Sequence, residues 1–307
     1  MKFLTFATSS GRDRLGVLIS DEQVLDLTGC GGPGMQSMLD LIDAGDAGLR
    51  TARLHVERVS RGDRRLSSRL RRLCDLRLRS PIPQPRNNLI CVGLNYRSHL
   101  VQNARAFAQR LEFPTRPIFH TKPASAVIGP EDPIVCDESV TLKLDYEVEL
   151  AVVIGKRGAS INSNDAFDHV FGYTIANDVV SRDAQFRASR FSFDNGLDGW
   201  CPLGPVVVDR ESVPDPAALT VEVFVNGGLR QRESVSHMLF SLPIIMSELS
   251  SVQTLEPGDI IATGTPEGSG YQLRPARFLR PGDIVACRIE GIGILSNPVV
   301  APLETVV

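Results

Sequence analysis

Asp145-Tyr146-Glu147-Val148-Glu149-Leu150-Ala151-Val152-Val153-Ile154-Gly155 carries the pattern that decides both the fold class and the chemistry. Residues two apart on a strand point to the same face, so Glu147 and Glu149 are neighbours if this stretch is extended. The Leu-Ala-Val-Val-Ile run that follows is apolar enough to be buried, so the strand enters a core directly after its carboxylates. Two carboxylates at a core entrance repel and raise each other's pKa unless a cation lies between them. An alternating edge strand with both glutamates facing water fits the same residues equally well. Asp178 shifts the balance, because it ends a second apolar run, Phe171-Gly172-Tyr173-Thr174-Ile175-Ala176-Asn177. Three carboxylates, with water and substrate in the remaining positions, are the coordination expected of Mg2+ or Mn2+ rather than zinc. No His/Cys cluster is evident in the sequence to compete for a softer metal.

Outward from this stretch the chain is β-rich from Asn88 onward. Leu89–Gly93, Leu144–Ile154, Val170–Val180, Val206–Val208, Leu219–Val225, Asp259–Thr263 and Asp283–Ile289 read as strands, and Ser98–Arg110 and Phe240–Ser250 as helices. Residues 1–80 differ. Short strands (Lys2–Ala7, Gly16–Ser20, Val24–Leu27) are joined by glycine turns, and a short amphipathic helix is expected over Met35–Ile42. Nine arginines fall between Arg58 and Arg79, with Val59, Leu66, Leu70 and Leu73 at helical spacing. No aromatic is interleaved to stack a base, so this reads as a solvated helix face rather than a nucleic-acid surface. Ser80-Pro81-Ile82-Pro83-Gln84-Pro85 breaks any helix and reads as a linker. The expected architecture is α+β, mostly β: a small N-terminal cap domain over 1–80 and a catalytic core over 81–307. No GxGxxG or phosphate-binding loop is present.

The bulk properties exclude more than they identify. A net charge of −3, with 42% hydrophobic and 22% charged residues, gives no global pull toward nucleic acid or membrane. No apolar run reaches bilayer-spanning length, and the amino terminus turns polar too soon for a signal peptide. Six cysteines without CxxC spacing read as reduced thiols, so a cytoplasmic location is expected.

Several segments, in order along some 200 residues, resemble the fumarylacetoacetate hydrolase superfamily, its acylpyruvase and oxaloacetate decarboxylase-like branch in particular. They are Cys91-Val92-Gly93-Leu94-Asn95-Tyr96-Arg97-Ser98-His99, Lys122-Pro123 with Ile128-Gly129-Pro130, the Asp145–Gly155 strand, and Asn177-Asp178 through Arg182-Asp183-Ala184-Gln185. Cys201-Pro202-Leu203-Gly204-Pro205, Ala262–Gly268, and Pro281-Gly282-Asp283 through Gly293 continue the series. The resemblance implies a mixed β-sandwich/β-roll, a homodimer, and Mg2+ or Mn2+ held by Glu147, Glu149 and Asp178. It also implies a small-molecule 2-oxo or 2,4-dioxo acid as substrate. Arg182 and Gln185 match the pair that contacts substrate oxygens, and Thr265 matches a donor to the substrate carboxylate. Tyr96 belongs with the substrate-binding set. Lys122 is expected to position its loop or balance the acidic site. His99 is the candidate general base. His237 reads as an ordinary surface residue.

Two positions depart from the family pattern. Three residues after the histidine, where hydrolytic members carry a glutamate that orients it, this chain has Gln102. A neutral amide cannot stabilise imidazolium as a carboxylate does. The family lysine six residues before Cys201 is Asn195, a weaker donor to developing negative charge. Glu112, Arg187 and Arg190 are the nearby candidates to replace the lost charges. The first expectation is therefore a metal-dependent hydrolase or lyase that cleaves a C–C bond or decarboxylates a keto acid. The alternative is an isomerase, tautomerase, dehydratase or cyclase using the same enolate chemistry. A non-catalytic metal- or ligand-binding homologue stands third.

Overall fold

The computed structural model describes residues 1–107, 110–187 and 196–302. The N-terminal strands are β1 (Lys2–Ala7), β2 (Asp13–Leu18), β3 (Gln23–Asp26), β4 (Leu70–Arg72) and β5 (Arg77–Arg79). Then come β6 (Leu89–Gly93), β7 (Ile118–Lys122), β8 (Val127–Ile128), β9 (Ile134–Val135), β10 (Leu144–Asp145), β11 (Val148–Ile154), β12 (Val170–Asn177) and β13 (Val180–Ser181). The last six are β14 (Cys201–Asp209), β15 (Thr220–Val225), β16 (Gly228–Ser234), β17 (Ile260–Ala262), β18 (Ile284–Ile289) and β19 (Gly293–Val300). Among the described residues they make a twelve-stranded sheet ordered β4-β3-β2-β1-β14-β12-β11-β17-β6-β7, with β5 on β1 and β8 on β14. A five-stranded sheet, β16-β15-β18-β19-β9, packs against it, and β10 pairs with β13. The chain is α+β and mostly β.

β11 is an interior strand, flanked by β12 and β17, so the edge-strand reading is overturned. Its alternation separates two cores. Val148, Leu150, Val152 and Ile154 join the cluster that includes Val221, Val223, Ile289 and Leu295 of the smaller sheet. Ala151 and Val153 face the other cluster, with Phe3, Leu41 and Leu203. Burial on both faces explains why the run is continuously apolar. Each fully buried branched side chain contributes roughly 1.5–3 kcal/mol of transfer free energy.

The first 80 residues share the large sheet with the rest: β1 pairs with β14 at Lys2↔Val208 and Phe3↔Val207. Three expectations are corrected there. The short helix over Met35–Ile42 is instead Met38–Ser60, N-capped by Ser37 and interrupted by non-helical Gly45. The arginine-rich stretch is not one helix face. After a four-residue helix (Arg64–Ser67), Leu70 lies in β4, and Leu73 follows it in a 3-10 turn. Nor is 80–85 a free linker. Ser80 and Ile82 are buried, and Thr5 donates its hydroxyl to the Pro81 carbonyl at 2.7 Å. No helix among the described residues is long and apolar enough to cross a membrane.

Candidate metal centre and active site

Sheet register assembles the carboxylates. Glu149 pairs with Ala176 and Val148 with Asn177, so Glu147 and Asp178 fall opposite each other one step further on. The Asp178 N–H donates to the Glu147 carbonyl at 2.8 Å, which continues the ladder past the strand end. Glu147, Glu149 and Asp178 are all buried, and one oxygen from each lies within 4.8 Å of the other two. Glu149 Oε2 accepts from the Gly264 N–H at 2.8 Å. Gly264 has φ +99°, and a Cβ there would stand 2.7 Å from Asn95 Cβ, so only glycine brings this N–H to the carboxylate without strain.

The surrounding charges are unbalanced. Lys122 Nζ lies 2.8 Å from Asp178 Oδ1 and donates to the Val179 carbonyl. Arg182 pairs through Nε with Asp145 Oδ2 at 2.9 Å and through a second nitrogen with Glu147. Among the described residues, four buried carboxylates (Asp145, Glu147, Glu149, Asp178) thus face two buried cations, a surplus of two negative charges when all are ionised. Burial, then repulsion from Asp178 and Glu147, pushes the Glu149 carboxyl well above its ordinary range. Burial also raises Glu147, against the pull of Arg182. Burial would raise Asp178 as well, but Lys122 and His120 hold it low. Uncompensated buried charge costs several kcal/mol. A divalent cation among three carboxylate oxygens cancels the surplus, and an all-oxygen donor set is that of Mg2+ or Mn2+. The residues fit such an ion.

His99 stands beside this cluster, joined to it by Tyr271. The guanidinium carbon of Arg182 lies 4.1 Å from the Tyr271 ring centroid. The Tyr271 hydroxyl lies 3.3 Å from His99 Nε2 and donates to Asn103 Oδ1. His99 Nδ1 lies 3.2 Å from the Pro266 carbonyl, an acceptor, and 3.4 Å from the Gln272 amide nitrogen, a donor, so these contacts fit either neutral tautomer. Burial, with the Arg182 charge adding to it, lowers the His99 pKa to about 4, so the ring is neutral at physiological pH.

The C-terminal domain model of fumarylacetoacetate (FAA) hydrolase matches residues 88–300. The chain belongs to the fumarylacetoacetate hydrolase family. It is an enzyme of that family, 42% identical over 306 residues to oxaloacetate tautomerase YisK of Bacillus subtilis, covering 96% of this chain and all of the relative. Among solved structures, a fumarylacetoacetate hydrolase from psychrophilic Exiguobacterium antarcticum superposes with a TM-score of 0.80 at 38% identity, covering 98% of this chain and 100% of that one. Maleylpyruvate hydrolase from Sphingobium sp. SYK-6, in complex with manganese(II) and pyruvate, gives 0.76 at 31% identity, covering 99% and 100%.

Set on this family fold, the residues singled out in the sequence divide into three groups. Glu147, Glu149, Asp178, Lys122, Arg182 and His99 are brought together as described. Gln102 turns its Oε1 to the Gly268 N–H at 2.8 Å rather than to the His99 ring. The Thr265 hydroxyl accepts from Gln231 at 2.9 Å. Tyr96 is fully buried, its hydroxyl without a partner among the described residues, and Glu112 is exposed. His237 is exposed and pairs with Glu233. Asn195, Arg190 and the side chains of Gln185 and Arg187 lie outside the described residues.

Sequence reasoning missed Asp145, His120, Tyr271 and Asn103. Asp145 accepts the Gly270 N–H at 2.7 Å and the Tyr271 N–H at 3.1 Å, which ties the Gly268–Gln272 turn to the carboxylate cluster. That turn directly follows the quoted Ala262–Gly268 segment, and its Ser-Gly-Tyr-Gln sequence was the available signal. One statement is corrected outright. Cys91, His120 and Asp178 do form a compact Cys/His/Asp group.

Proposed function

We propose that this enzyme interconverts the keto and enol forms of a 2-oxo dicarboxylic acid, with oxaloacetate the first substrate to test, in a site that holds Mg2+ or Mn2+ on Glu147, Glu149 and Asp178. One observation carries the reading. Among the described residues His99 meets a carbonyl, a phenol and the Gln272 amide and no carboxylate, while Gln102 is engaged by the Gly268 N–H. Hydrolysis of a C–C bond needs a base that activates water and a partner that stabilises the imidazolium formed. Tautomerisation needs less: a proton leaves C3 for a base, and another reaches the enolate oxygen. The unprotonated ring nitrogen of neutral His99 and the Tyr271 hydroxyl beside it suffice for both transfers. When bound, the cation supplies positive charge beside the 2-oxo oxygen, where negative charge develops. Arg182 and Tyr271 hold the two halves of the site in register, and burial keeps water from competing with the proton transfers. The 42%-identical oxaloacetate tautomerase supports the same reaction.

A second reading, C–C hydrolysis or decarboxylation, is supported by the likeness to the manganese- and pyruvate-bound maleylpyruvate hydrolase. The test separates them. Crystalline enol-oxaloacetic acid is diluted into buffer with the enzyme and Mn2+, and enol absorbance and released pyruvate are followed together. Accelerated enol decay without pyruvate supports tautomerisation. Pyruvate formed at the rate of enol loss, or turnover of an acylpyruvate alone, overturns it in favour of the second reading. His99→Gln should slow enol decay by roughly 10²–10⁴-fold, the usual contribution of a positioned acid–base group.

A further inference from the structure

A second group of metal-competent side chains shares Asp178 with the carboxylate cluster. Cys91 of β6 and His120 of β7 are direct cross-strand partners, so both project from the same face of the sheet. Asp178 reaches that face from the end of β12. One atom from each residue, a thiol sulfur, an imidazole nitrogen and a carboxylate oxygen, lies within 4.8 Å of the other two. His120 Nε2 is 3.2 Å from Asp178 Oδ2. Two ligands bound to tetrahedral zinc at 2.0–2.1 Å stand about 3.3 Å apart, so this pair already has the spacing of two corners of a tetrahedron.

The donor chemistry differs from that of the neighbouring site. Sulfur, nitrogen and one oxygen suit borderline and soft cations, whereas three carboxylates suit hard ones. The two oxygens of Asp178 are also divided: Oδ1 faces Lys122, and Oδ2 faces His120. Cys91 and Asp178 are almost wholly buried, but the His120 side chain keeps 21% of its surface exposed. An ion therefore has an approach from the His120 side, where solvent can supply a fourth ligand.

We propose that Cys91, His120 and Asp178 form a second cation site, of the zinc class, adjoining the carboxylate site and sharing Asp178 with it. Binding exchanges the thiol proton for a metal–sulfur bond and involves no redox step. Because one aspartate serves both donor sets, Zn2+ here competes with Mn2+ on the carboxylates.

Cobalt(II) is the probe. The full chain, stripped with a chelator, is titrated anaerobically with Co2+. One equivalent should give a near-ultraviolet sulfur-to-cobalt charge-transfer band and intense tetrahedral visible bands, both removed by added Zn2+. Cys91→Ser should abolish the ultraviolet band, and His120→Gln should weaken Co2+ binding at least tenfold. X-ray absorption of the Zn2+-loaded wild-type protein needs no variant, and it should contain one zinc–sulfur path at about 2.3 Å. Zn2+ should also displace Mn2+, read as the return of the free-ion electron paramagnetic resonance signal. A cobalt spectrum of weak octahedral bands, or a zinc shell of oxygen and nitrogen alone, overturns the proposal.

Discussion

The guanidinium carbon of Arg182 lies 4.1 Å from the centre of the Tyr271 ring while its nitrogens pair with Asp145 and Glu147. One buried cation thus links the carboxylate cluster to the phenol that meets His99. Removing one partner of a buried ion pair strands the other and costs about 3–5 kcal/mol. Arg182→Gln should therefore lower the thermal midpoint sharply in chelator, since Asp145 and Glu147 lose their cation. Mn2+ should restore more of the loss than it adds to the wild type, because the variant site carries a larger negative surplus. Differential scanning fluorimetry with and without Mn2+ checks this, and equal shifts for both proteins would refute it.

Glu149 makes the opposite case. Its charged form is opposed by burial, Asp178 and Glu147, with one Gly264 N–H in compensation. Glu149→Gln removes the repulsion and keeps an oxygen for that N–H. The variant should be more stable than the wild type without metal, yet gain nothing from Mn2+. At a hundredfold excess over its dissociation constant, a ligand adds about 2.7 kcal/mol to the wild type. Urea unfolding in chelator and in Mn2+ should show the two stability curves crossing. A metal-dependent gain preserved in Glu149→Gln would place the ion elsewhere.

Gln102→Glu tests whether the sequence departure at this position controls the reaction. Gln102 faces the Gly268 N–H, and a glutamate at 102 retains an oxygen for the same bond. The change should leave enol decay within about threefold of wild type and should not create acylpyruvate hydrolysis, since the new charge still points at a backbone N–H. A rise in hydrolysis of tenfold or more would mean that the side chain swings to His99.

The parts of this site that were legible in the sequence share a periodicity. Glu147 and Glu149 are related by strand alternation, and Asp178 ends the next apolar run, so counting by twos sufficed. Asp145 also differs from Glu147 by two, but it sits across the break between β10 and β11, where alternation no longer says which way a side chain points. Tyr271 and His120 reach the site through contacts more than fifty residues away in sequence, and no local pattern marks them. Gly45 and Gly48 interrupt the apolar spacing of the helix Met38–Ser60, so only its first turns show in the sequence. Leu66, Leu70 and Leu73 have helical spacing, yet Leu70 completes a strand that closes the N-terminal sheet. Tertiary pairing overrode local preference there.

The burial of His99 has a pH signature that separates it from the carboxylates. Its pKa falls from 6.5 to about 4, first because burial disfavours the charged ring and second because Arg182 repels it. Between those two values the unfolded chain binds a proton that the folded chain does not. Stability therefore falls as the pH drops through this window and is recovered as it rises above 6.5. Between pH 8 and pH 5 the loss from this one group amounts to about 2 kcal/mol, at 1.36 kcal/mol per pKa unit. His99→Gln has no such group and should lose correspondingly less over the same range. Urea midpoints of both proteins, in chelator at closely spaced pH values, give the difference curve directly, because the carboxylates titrate in both and cancel. The difference should grow from pH 7 down to about pH 4 and then level off. Parallel curves would mean that His99 is solvated and charges normally, and the unprotonated ring nitrogen on which the proposed proton transfer relies would then be lost below neutral pH.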